Sequence, residues 1–114
     1  MATTQHSMTR EIRRVTDEGV TVAQLAQATG VTLSTARRWK QGTSVPVGDH
    51  ATKMLELTSI VERLTQIIDP DYVPIWLSKP IPRLDDRRPV DAIAAGDYRE
   101  VSKLVGSLEE MPVA

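Results

Sequence analysis

Apolar residues recur at helical spacing along most of this chain, and no stretch alternates with the period of two that marks a half-buried strand. Residues 54–68 show the pattern best: Met54, Leu57, Val61, Leu64 and Ile68 step by three, four, three and four, and Leu55, Ile60 and Ile67 widen the stripe. A stripe this broad has neighbours on more than one side. It predicts a long helix, capped by Asp49 and running to about Ile68, that joins two halves of the molecule. Residues 1–8 are polar and read as a disordered N-terminus. A first helix from about Thr9 to Glu18 offers Ile12 and Val15 inward and ends at Gly19. Beyond the long helix, Asp69-Pro70 pairs an N-cap with a proline at the first helical position and starts a helix holding Tyr72, Val73, Ile75, Trp76 and Leu77. The stretch 78–89 carries Pro80, Pro82 and Pro89 and cannot be regular helix. A short helix from Pro89 to Ala95 stops at Gly96, and Asp97 with Glu100 forms a D-x-x-E cap for the last helix, to about Glu110. That helix presents Val101, Leu104, Val105 and Leu108 at i, i+3, i+4 and i+7, and its end, closed by Glu109 and Glu110 against the negative pole of the helix, is expected to fray. The pattern predicts an all-α protein of about seven helices.

Residues 20–42, VTVAQLAQATGVTLSTARRWKQG, predict two short helices joined by a tight turn. Thr21 and Gln24 have the spacing of a capping box, and Val20 and Leu25 stand where a hydrophobic staple would close it. Gly30 suits the left-handed position that ends a helix. Thr32 offers the next N-cap, and a second helix runs from Leu33 to Gln41 before Gly42. Leu33, Ala36 and Trp39 are expected inward; Ser34, Thr35, Arg37, Arg38 and Lys40 outward. A small, basic, polar outer face on the second helix is the arrangement of a helix-turn-helix whose second helix enters the major groove. Thr32, Ser34, Thr35, Arg37, Arg38 and Lys40 are therefore the candidate DNA-binding residues. An ordinary helical hairpin has no reason to gather three cations beside two hydroxyls on one exposed face. Residues 9–47 read as the DNA-binding region and 48–114 as a second, helical region for partner binding and dimerisation.

Charge sharpens this division. The net charge is −1, but residues 1–47 carry six basic against three acidic groups and residues 48–114 eight against twelve. The basic excess lies where phosphate must be met. The 114 residues include no cysteine, which excludes disulfides and thiolate chemistry and fits a reducing cytoplasm. Phenylalanine is also absent, so the core is small, and a second copy would help to stabilise it. No signal peptide and no membrane span is legible.

From Trp76 to Leu108 the chain reads WLSKPIPRLDDRRPVDAIAAGDYREVSKLVGSL. A tryptophan-leucine helix end, a proline-punctuated loop, R-P-x-D at a helix start and a final V-x-x-L helix make up a pattern that resembles the MbcA/ParS/Xre toxin-binding domain. In that family the domain follows a small Xre-like helix-turn-helix, so the resemblance spans about residue 10 to the end. Two positions depart from the pattern: Pro80-Ile81-Pro82 stands where members usually have Pro-Asn, and Asp85-Asp86 where many have a glycine. The resemblance implies an antitoxin of a type II toxin–antitoxin pair. Its partner would be a RES-domain toxin that consumes NAD⁺ or, in some pairs, modifies a protein with ADP-ribose. It further implies that the C-terminal segment, Glu109, Glu110, Met111, Pro112, Val113 and Ala114, enters the toxin's cleft, and that the N-terminal half binds double-stranded operator DNA.

Other chemistry finds little support. His6 and His50 lack metal-ligand spacing. Asp85-Asp86 and Glu109-Glu110 are adjacent pairs, which do not face one pocket. No phosphate-binding glycine motif occurs. No catalytic residue, metal or cofactor is expected, and the protein does not read as an enzyme. Trp39 and Trp76 are expected as packing anchors. The competing reading is a stand-alone helix-turn-helix repressor, of a phage or mobile element, whose second half only dimerises. Either way a homo-oligomer is expected, because one small helix-turn-helix makes few contacts, with the stripe on 54–68 or the final helix as the seam.

Overall fold

A computed structural model describes residues 2–111, and every regular element among them is helical. The α-helices are α1 (Ala2–Asp17), α2 (Val22–Thr29), α3 (Leu33–Gln41), α4 (Gly48–Thr65), α5 (Val73–Leu77), α6 (Pro89–Ala94) and α7 (Tyr98–Glu109). Single 3₁₀ turns cover Pro70–Tyr72 and Pro82–Leu84. Helix α1 begins well before Thr9, so the disordered N-terminus expected over 1–8 gives way to helix across residues 2–8. No glycine or proline interrupts 2–17, and a helix already nucleated by packed turns extends at one hydrogen bond per residue.

Helix α2 is the hub. Its capping box forms as the sequence predicts: Thr21 Oγ1 accepts from Gln24 N at 3.0 Å and Thr21 N donates to Gln24 Oε1 at 3.1 Å. Gly30 ends it at φ 78°. Leu25 and Ala28 are fully buried, and α2 packs against α3, α4 and α6. The contact with α6 draws a helix from beyond α4 onto the α2–α3 pair, so one continuous core runs through both. Gln24 makes the tie directly, because its Nε2 donates to Pro74 O at 2.6 Å and to Ser78 Oγ at 2.8 Å.

Helix α4 starts with Val47 in the N-cap position and no side-chain cap; Asp49 lies in the first turn, where its charge favours the helix N-terminus but it does not cap. Met54, Leu57, Ile60, Val61 and Leu64 are fully buried beneath α1, α2, α5, α6 and α7. That burial removes the stripe as an oligomer seam, and Val101, Leu104 and Val105 of α7 are likewise spent on the core. The helix stops at Thr65 rather than Ile68, and Ile67 and Ile68 fold back in a turn whose amides both donate to Leu64 O.

The expected D-x-x-E cap at Asp97 does not form. Its carboxylate accepts instead from Arg87 Nη1 at 2.7 Å, a charge-assisted bond that outcompetes a backbone amide. Arg88 and Asp91 clasp each other through two bonds, 2.6 and 2.9 Å, across the R-P-x-D start of α6. In the intervening loop, Ile81 N donates to Arg87 O, and Asp85 and Asp86 both take left-handed backbone angles, φ 59° and 61°. Among the described residues, no helix is long and apolar enough to cross a membrane.

Candidate nucleic-acid and partner interfaces

Two anchors hold α3 against the body. Ala36 and Trp39 are buried, and the Trp39 ring lies 6.2 Å from that of His50 at the start of α4. Leu33, expected inward, is 41% exposed. It sits about 120° around the helix from Trp39, off the face those anchors define. From α1, Arg13 donates to the last carbonyls of α3, Nη2 to Gln41 O at 3.2 Å and Nε to Lys40 O at 3.4 Å. A cation there suits the negative end of the helix. Sequence spacing does not predict this contact; its only trace is an arginine one position after the core residue Ile12.

The outer face of α3 carries Ser34, Arg37, Arg38 and Lys40 in the open, with Thr35 half-buried. Thr32 is committed to the fold: its hydroxyl accepts from Thr35 N at 3.2 Å and meets Thr35 Oγ1 at 3.0 Å. Thr35 Oγ1 in turn accepts from Arg38 Nη2 at 3.3 Å, so Thr32, Thr35 and Arg38 form a chain along one edge. Among the described residues, none of Arg37, Arg38 and Lys40 forms a salt bridge. Their charges are not cancelled, whereas Arg14, Arg63, Arg87 and Arg88 are each paired with a carboxylate.

At the other end of the molecule, Glu109 is not a loose, frayed terminus. Arg63 grips it, and that pairing holds the Glu109 carboxyl below the usual glutamate range and raises the arginine. The same guanidinium donates to Ser102 Oγ at 2.8 Å and Ser102 O at 3.2 Å. Glu110 and Met111 are exposed beyond this clasp. Pro112, Val113 and Ala114 lie outside the described residues. Beside α7, Trp76, Pro80, Ile81, Pro82, Leu104 and Leu108 line a shallow groove of about 260 Å³. Trp76 is 8% exposed and packs under the proline loop as a core residue. A second apolar depression of about 450 Å³ lies around Ile68, Tyr72 and Ile75, flanked by Asp69 and Asp71. The described residues contain no cluster of three or more metal-ligating side chains.

No protein-family model matches the chain. The mycobacterial cidal antitoxin MbcA of Mycobacterium tuberculosis H37Rv is 24% identical over 92 residues, 81% of this chain and 81% of that protein. The MbcA of Mycobacterium bovis matches to the same extent. A chain in the crystal structure of the M. tuberculosis MbcT–MbcA toxin–antitoxin complex superposes with a TM-score of 0.76 at 21% identity. The superposition covers 92% of this chain and 96% of that one, and the all-α fold is shared.

Proposed function

We propose that this protein is a non-enzymatic, cytoplasmic antitoxin of a type II toxin–antitoxin pair. Its second region binds a RES-domain toxin that consumes NAD⁺, and its C-terminal tail enters that toxin's cleft. The observation that carries this reading is the likeness to MbcA, which extends over 81% of both chains rather than over an isolated helical motif. The tail supports it physically. The Arg63–Glu109 clasp gives Glu110 to Ala114 a fixed point of departure, and this tail is one acidic residue with an apolar end. An acidic group leading an apolar tip suits a cleft that must hold a dinucleotide's pyrophosphate with cations.

The same reading assigns operator binding to α2 and α3, on the strength of the salt-bridge-free face of Arg37, Arg38 and Lys40. Two copies would read half-sites about one helical turn apart. Their seam must lie outside the buried stripe of α4; Leu55, Tyr72 and Ile75 are the large apolar side chains of the long helix and its neighbour that remain exposed. Co-expression with the product of the adjacent gene tests the whole. Retention of that product on the tagged protein, with rescue of growth, supports the antitoxin. Binding of upstream DNA without retention would instead favour a stand-alone repressor.

A further inference from the structure

A groove of about 730 Å³ lies between α1 and the end of α3, lined by Thr9, Arg10, Arg13, Arg14, Gln41 and Gly42, with Asp17 at its far end. Its three arginines are not equivalent. Arg14 is neutralised by Glu11 at 2.7 Å and Glu18 at 3.3 Å. Arg13 is bonded only to the backbone carbonyls of Lys40 and Gln41, which orient it without cancelling its charge. Arg10 is exposed and, among the described residues, has neither a carboxylate nor a hydrogen-bond partner. Gly42 keeps the floor open: a Cβ there would stand 3.1 Å from Arg13 Nη2 and 3.5 Å from Thr9 Cγ2.

We propose that this groove binds a backbone phosphate of the same duplex that α3 reads, with Arg10 and Arg13 as its donors. The proposal rests on the DNA-binding reading above. Three features favour a phosphate. Two guanidinium groups a turn apart on α1 present forks that match phosphate oxygens. The carbonyl end of α3 would by itself repel an anion, and Arg13 caps those very carbonyls, which removes the obstacle. Lys40 links the two surfaces: its side chain is exposed on α3, and its backbone carbonyl accepts from Arg13 in the groove. Asp17 repels phosphate and confines the site to the end where Arg10, Arg13 and Gly42 meet.

Arg10→Ala is the test, because Arg10 has no partner among the described residues, whereas Arg13 also holds α3. Binding of the full-length protein to the duplex immediately upstream of its own gene, and to an unrelated duplex, is measured across a salt series beside Arg37→Ala. Arg10→Ala should weaken both duplexes several-fold and equally, and make the slope of log K against log salt shallower by about 1. Arg37→Ala should instead erode the preference between the duplexes. Unchanged affinity and slope for Arg10→Ala, with Arg37→Ala impaired, would overturn the phosphate site and leave the DNA reading standing. A parent protein that binds neither duplex would overturn both.

Discussion

Arg63 on α4 grips Glu109 at the end of α7 through two parallel bonds, Nη2 to Oε1 at 2.7 Å and Nε to Oε2 at 3.2 Å. The remaining nitrogen holds Ser102, about two turns earlier on the same face of α7. This clasp decides where the ordered helix gives way to the C-terminal segment. It also opposes the unfavourable meeting of an acidic side chain with the negative end of a helix.

The clasp makes the end of α7 sensitive to acid. Glu109 is held below the usual glutamate range, so its contribution is complete above that range and is lost as pH falls through the depressed folded value. On acidification the chemical shifts of residues 106–111 should move toward random coil while those of the core residue Leu57 stay. Glu109→Gln should produce the same change at neutral pH and abolish its pH dependence. A last turn that stays helical in that variant would show that the pair is decorative.

The clasp also dictates where to cut. A chain ending at Glu109 keeps Arg63 paired, whereas one ending at Leu108 strips it. The chain ending at Glu109 should fold, bind upstream DNA and still associate with its partner, yet inhibit NAD⁺ consumption by that partner less than the full chain does. Equal inhibition would mean that residues 110–114 are not the plug.

Gln24 serves three partners from a buried position: Thr21 N, Pro74 O and Ser78 Oγ. Gln24→Ala leaves them without it and removes the tie between α2 and α5. A loss of about 2–3 kcal/mol in urea unfolding is expected, the scale of stranding buried polar groups. A loss near zero would indicate that solvent replaces the side chain.

Asp86 adopts φ 61° where glycine is at ease. Left-handed angles cost an L-residue about 1–2 kcal/mol, and glycine's extra unfolded-state freedom offsets part of the relief. Asp86→Gly should therefore stabilise the protein by roughly 0.5–1 kcal/mol in thermal or urea unfolding. Destabilisation would reveal a contact of that carboxylate beyond the fold.

Arg37 stands on the open edge of α3 without a salt-bridge partner among the described residues. An arginine paired to guanine contributes ~1–3 kcal/mol of discrimination. Arg37→Ala should weaken operator binding and relax sequence preference in a gel-shift series. Parental affinity and preference in that variant would remove Arg37 from the interface.

Local rules were enough to place most of the helices. The capping box at Thr21 and Gln24, the left-handed glycines at 30 and 42 and the apolar steps of 54–64 each act within one or two turns, so they are written in consecutive residues. The outward face of α3 was legible for the same reason, since its periodicity and charge lie in nine residues. Long-range pairing decided the rest. Asp97 had the sequence of a cap, but Arg87 came within 2.7 Å only because α6 and the left-handed turn at Gly96 fold the chain between them. Glu109 had the sequence of a frayed end, but Arg63, far away in the chain, was brought beside it by packing α7 on α4. The broad stripe of α4 announced that it would be covered, not by what, and only the folded core supplied α2, α6 and α7 rather than a second copy. A polar side chain's choice between a nearby amide and a distant charge depends on which charges the tertiary fold carries to it, and one-dimensional spacing holds no record of that.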